Sequence, residues 1–136
     1  MALQFDTTTR ESWCTTLNTK IGASATINIY SGSPPSTCAT SASGTLLGTF
    51  TGNSSAFGTV AGEVITLETI ATTTAVAGSP TNAGYFRILD SGSVCHVQGT
   101  ITATGGGGDL TMTSIAITSG DTLTLTASGT LTAPGA

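Results

Sequence analysis

The stretch "TKIGASATINIY", residues 19–30, changes its period at Gly22. On its N-terminal side Trp13, Leu17 and Ile21 recur at i, i+4 and i+8, with Cys14 beside them, which is one apolar stripe of a helix. On its C-terminal side Ile27 and Ile29 alternate with Asn28 and Tyr30, the period of a half-buried strand. Glycine at the junction is a natural helix stop. Upstream, "TTRE" pairs Thr8 with Glu11 in the spacing of a capping box. Residues 1–7 therefore read as an arm, 8–21 as a helix and 22–136 as the β-rich remainder of a single domain. Trp13 is expected to anchor the helix in the core beneath the sheet.

The remainder keeps the short period. "SGSPPSTCATSASG" (31–44) is a loop in which Pro34 and Pro35 exclude a central strand. "TLLGTF" (45–50) is a strand, "TGNSSAFGTVAG" (51–62) is irregular, and "EVITLETIATTTAVAG" (63–78) is one long strand or two with a kink. "YFRILD" and "VCHVQGTITAT" flank "SGS" (91–93) as a hairpin. "LTMTSIAIT" and "TLTLTASGTLTA" flank "SGD" (119–121) as a second one. Between them "GGGGD" (105–109) reads as a flexible hairpin tip or a close-approach bend. Short strands at regular spacing with Gly, Ser and Asp turns predict a mainly β fold. The expected architecture is an antiparallel β-sandwich or jelly-roll-like barrel with one short N-terminal helix.

Composition narrows the function. Charged residues make up 7% of the chain, against about 25% in an ordinary soluble domain. The abundance of Thr, Ile and Val argues for a folded β protein and against disorder. Arg10, Lys20 and Arg87 are the only strong cations, too few and too scattered for a nucleic-acid partner or an anionic membrane surface. No apolar run reaches the roughly 18 residues needed to span a bilayer. The opening "MALQFDTTTRESW" lacks the basic and apolar regions of a secretory signal, so synthesis in a cytoplasm is expected. Cys14, Cys38 and Cys95 form no CxxC pair, and an odd, sparse count does not suggest a disulfide framework, although one pair could close on exposure to air.

Candidates for chemistry are few. His96 is the only histidine, which leaves no second imidazole for a metal site. On one strand it and Cys95 face opposite sides, so they form no Cys–His pair. Cys95 and Val97 are expected on the buried face, with His96 in solvent. Asp90, Asp109 and Asp121 each sit in a turn, where an aspartate caps its own backbone. "GGGGD" is followed by no Lys-Ser/Thr and is not a phosphate loop. No GxSxG elbow occurs. We assign no catalytic, metal-binding or cofactor-binding residue, and expect a protein that is not an enzyme.

The signal for partners is stronger. In "DTLTLT" (121–126) Leu faces inward while Thr122, Thr124 and Thr126 face outward. A long Thr-rich edge without charge or Pro invites pairing with another chain. Leu3 and Phe5 lie outside the helix stripe, in an arm that gains by docking on a neighbour. These five residues are the candidate partner contacts.

The runs "MALQFDTTTRESWCTTLNTKI", "INIYSGSPP", "GTLLGTF", "YFRILDSGSVCHVQGTI" and "AITSGDTLTLT" together resemble small virion proteins encoded in the structural modules of tailed bacteriophages. The resemblance covers nearly the whole chain and implies a virion component without catalytic residues, in head or tail. With the low charge, the Thr-rich strands and the apolar arm, it leads to the expectation of a capsid decoration (cement) protein. Such a protein would bind the major capsid protein on the outer head shell, as a homo-oligomer with a trimer favoured. The alternative is a tail, fibre or head–tail connector component, one form of which would bind host-surface glycan.

Overall fold

The computed structural model describes residues 3–68, 72–125 and 130–133. It is mainly β with one helix near the N-terminus, and its main sheet curls into a half-barrel, as the alternation of residues predicts. The helix α1 spans Thr7–Ile21 and the strands follow as β1 (Thr26–Ser31), β2 (Leu46–Thr51), β3 (Gly58–Ala61), β4 (Val64–Leu67) and β5 (Thr73–Thr74). After them come β6 (Thr81–Leu89), β7 (Cys95–Ala103), β8 (Leu110–Met112), β9 (Ala116–Ile117), β10 (Thr122–Leu123) and β11 (Thr130–Thr132). The main sheet runs β2-β1-β6-β7-β8, with β9 pairing the start of β6. Two smaller sheets, β11-β4-β3 and β10-β5, complete the β structure.

One buried cluster joins these parts. It takes Cys14 and Ile21 from α1, Ile27 and Ile29 from β1, Leu47 and Phe50 from β2, Ile65 and Leu67 from β4 and Phe86 and Ile88 from β6. Register explains the β1–β6 part. Ile29 lies opposite Phe86 and Ile27 opposite Ile88, so all four point to one face.

The helix differs from expectation in two ways. Its N-cap is Asp6, whose carboxylate accepts from the Thr8 backbone N–H at 3.0 Å, so the Thr8–Glu11 box is not the cap. The helix is also rotated by about one position. Arg10, Cys14 and Ile21 are its buried residues, and Trp13 is 41% exposed. Polar contacts to the β3–β4 hairpin set this rotation. Arg10 Nη2 lies 2.9 Å from Glu63 Oε2, Cys14 Sγ donates to the Glu63 carbonyl at 3.1 Å, and Asn18 Nδ2 donates to the Gly58 carbonyl at 2.8 Å. At the other end Gly22, with φ +66°, caps the helix by donating its N–H to the Asn18 carbonyl.

The "SGS" hairpin forms as read, joining β6 and β7 antiparallel. The "SGD" segment turns the chain but makes no hairpin. Its flanking strands part company, β9 to β6 and β10 to β5. The Thr-Leu ladder is therefore short: Thr122 pairs with Thr74 and Leu123 with Thr73, with Leu123 buried as expected. "TGNSSAFGTVAG" is not wholly irregular, since its end is β3, paired with β4. Of the two readings of 63–78, one long strand or two, the structure has two, β4 and β5, with residues 69–71 between them outside the described residues.

"GGGGD" is the close-approach bend. It does not make a hairpin, because β7 and β8 are parallel, with Ile101 opposite Leu110. Parallel neighbours ordinarily need a crossover of a dozen or more residues. Here residues 104–109 double back at once. Gly106 N–H donates to the Ala103 carbonyl, and Gly108 N–H to Thr102 Oγ1. A Cβ on Gly106 or Gly108 would stand 2.8–2.9 Å from Thr102, so a side chain there would force the loop off the strand.

Candidate functional site

The outer face of the main sheet carries a connected set of polar and aromatic side chains. Tyr85, Phe86, Arg87 and Ile88 are all at most 4% exposed, so β6 is covered on both faces. Phe86 and Ile88 face the core. Tyr85 and Arg87 face the other way, and residues 32–44 lie over them as a strap.

Five contacts fasten this strap. Tyr85 donates its hydroxyl to the Ser43 carbonyl at 2.5 Å and accepts from the Ser43 N–H at 2.9 Å. Gln98, opposite Arg87 on β7, donates to the Pro35 carbonyl at 2.6 Å. Arg87 Nη2 donates to the Cys38 carbonyl. The fifth contact is covalent: Cys38 and Cys95 form a disulfide with their Cα atoms 5.4 Å apart. Tyr30, opposite Tyr85, extends the layer by stacking on it at 5.1 Å.

The disulfide corrects the reading of the cysteines, and a β-bulge is its cause. Register runs from Ile88 opposite Val97 to Leu89 opposite Cys95, so His96 is an extra residue in β7. The extra residue reverses the alternation. Cys95 therefore shares the outer face with Leu89 and Arg87, where the strap brings Cys38 to it, and both cysteines are half-buried. Strand period alone places Cys95 with Val97. No feature of the amino-acid string marks the bulge.

The bulge also draws His96 out of solvent. Its Nε2 lies 2.9 Å from Asp90 Oδ2, with the two side chains 20% and 22% exposed. Asp90 Oδ1 accepts from the Gly92 and Val94 backbone N–H groups, so this one carboxylate caps the β6–β7 turn and holds the imidazole. The hydrogen bond from His96, and after it that from Val94, holds the Asp90 carboxyl below its ordinary value. The pair organises a turn. Among the described residues the pair's hydrogen bonds involve no side-chain nucleophile, and no group of three or more His, Cys, Asp or Glu is arranged to hold a metal ion.

The candidate partner contacts fall in separate places. Leu3 is 81% exposed. Phe5 is only partly free, packing edge-on against Trp13 with ring centroids 4.7 Å apart. Phe5 thus lies on the helix instead of projecting from it. Trp13 in turn borders an apolar groove of about 110 Å³, lined by Cys14, Leu17, Ile65 and Leu131. Thr122 is exposed beside β5 and Thr124, half-buried, accepts from the Thr113 N–H through its carbonyl, whereas α1 packs on β3, β4 and β7. Thr126 lies outside the described residues. Sequence reasoning missed Trp13 as a surface residue. The available signal was Arg10, which shares the stripe of Cys14 and Ile21 and needs an acid to be buried.

No helix among the described residues is long and apolar enough to cross a membrane. Compared with known proteins, the chain matches no family model, no curated protein and no solved structure.

Proposed function

We propose that this protein is a non-catalytic virion component, a capsid decoration protein that binds the outer head shell and stabilises it. The observation that carries the reading is the apolar surface at the N-terminal end. Leu3 and Phe5 are exposed two residues apart, and Phe5 packs on the exposed Trp13, which borders the groove between α1 and the β4–β11 strands. Exposed apolar groups that gather in one place mark interaction surfaces. Only 7% of the residues are charged, which fits a chain whose surface is largely covered by other protein. The major capsid protein would be the partner and a trimer the favoured copy arrangement, because many modest contacts repeated over a symmetric shell add by multivalency.

Gold labelling of intact particles tests the location. Label over the whole head supports decoration. Label confined to the tail or its tip contradicts it and returns the tail, fibre or connector reading.

A further inference from the structure

We propose that the Cys38–Cys95 disulfide is a redox-operated clasp, in which Arg87 stabilises Cys95 as the departing thiolate and the 32–44 strap is the element set free. This goes beyond the virion reading and does not depend on it.

The charge balance around Arg87 points to this. Arg87 is 4% exposed, and the ion pairs among the described residues are Arg10–Glu63 and His96–Asp90, neither of which involves it. A buried cation without an anion is unfavourable. Its partners in the closed state are neutral: the Cys38 carbonyl and, 3.3 Å from Nε, the Cys95 sulfur. When the disulfide opens, that same sulfur becomes the missing anion, already within hydrogen-bond reach of the guanidinium. An adjacent Arg favours thiolate over thiol, and a disulfide whose reduced form is stabilised is the stronger oxidant. Both cysteines keep part of their surface in water, and the clasp requires that a small thiol reach Cys38 Sγ from that side.

The step balances with a small-molecule thiol as reductant. Its thiolate attacks Cys38 Sγ. The Cys38–Cys95 bond breaks and its electron pair goes to Cys95 Sγ, which stays as a thiolate against Arg87. A second thiolate attacks the reductant's sulfur in the mixed disulfide and releases Cys38, which takes a proton from water. Two thiols are oxidised to one disulfide and the protein is reduced by two electrons. The strap then keeps only its hydrogen bonds to Tyr85, Arg87 and Gln98, and the outer face of β1, β6 and β7 can be uncovered.

The test equilibrates the full chain in glutathione buffers of graded ratio and counts free thiols by alkylation under denaturing quench, with Cys14 as a constant background thiol. Proteinase K cleavage within residues 33–43 is followed in the same buffers. Wild type is expected to open in reducing glutathione buffers, with cleavage appearing as it opens. Arg87→Gln should shift the exchange equilibrium toward the disulfide about tenfold, or about 30 mV for a two-electron couple, and Arg87→Lys should restore it. A merely structural Arg87 predicts the opposite sign, because losing the bond to the Cys38 carbonyl would loosen the strap and make opening easier. Easier opening in Arg87→Gln would overturn the role of Arg87. A wild-type disulfide that stays closed across all the buffers would overturn the clasp itself, whether or not the variants fold.

Discussion

The outer face of the main sheet and the N-terminal end of the helix both carry large aromatic side chains, and the chain handles them in opposite ways. Over the sheet, residues 32–44 are fixed by a disulfide and by hydrogen bonds from Tyr85, Arg87 and Gln98. Over the helix Phe5 packs edge-on against Trp13, which stays 41% exposed, and Leu3 stands open. Covering one apolar or aromatic layer from within the chain while leaving another bare separates structure from interaction. The closed face should carry stability, and the open face should carry binding.

That separation can be broken by mutation. The largest expected effect is on the closed side. Replacing both Cys38 and Cys95 with Ser removes a cross-link with a sequence separation of 57 residues and should lower unfolding free energy by about 2–4 kcal/mol in urea titrations under non-reducing conditions. A loss well under that range would mean that the hydrogen bonds alone hold the strap. Next, Tyr85→Phe deprives both the Ser43 N–H and its carbonyl of their partner and should cost about 1–3 kcal/mol. On the open side, Trp13→Ser should cost about 2 kcal/mol, below the roughly 3–5 kcal/mol of a fully buried tryptophan, since Trp13 is 41% exposed. A cost of several kcal/mol would show that the helix face is structural after all.

The smallest effect concerns the turn between the two long strands. Because the native state holds Asp90 below its ordinary value of 3.8, its contribution is present above that value and is lost as pH falls through the lowered one. Melting temperatures of wild type and Asp90→Asn should therefore converge on acidification below about pH 3.8. A difference that persists unchanged into strong acid would assign the turn to its backbone alone.

Which features the sequence revealed follows from what local period can encode. Ile27 and Ile29 betray their strand because alternation is a local property, and Gly22 betrays the helix end because its conformation is. The β6–β7 hairpin is legible for the same reason. Long-range choices are not. Nothing near Gly105–Asp109 states that the strands on either side run parallel, and nothing near Gly120 states that its flanking strands choose β6 and β5 as partners. The candidate surface was half legible. Leu3 and Phe5 stand out because they precede the helix, while Trp13 was hidden by a stripe that fits two rotations of one helix. Choosing between them required the Glu63 carboxylate, about fifty residues downstream. The bulge at His96 had the largest consequence, since one extra residue moved Cys95 to the other face and made the strap covalent.

The central claim of the proposed decoration role, that the open face binds the head shell, is tested most directly by occupancy. Leu3→Ser, Phe5→Ser and Trp13→Ser are combined, leaving Asp6 in place as the helix cap. The variant and the wild type are then added to heads stripped of the protein, and the bound copies are counted after sedimentation. The account predicts that the variant stays folded, with a circular dichroism spectrum like that of wild type, and that its occupancy falls at least tenfold. Full occupancy by the folded variant would contradict the claim and move the binding surface elsewhere on the molecule.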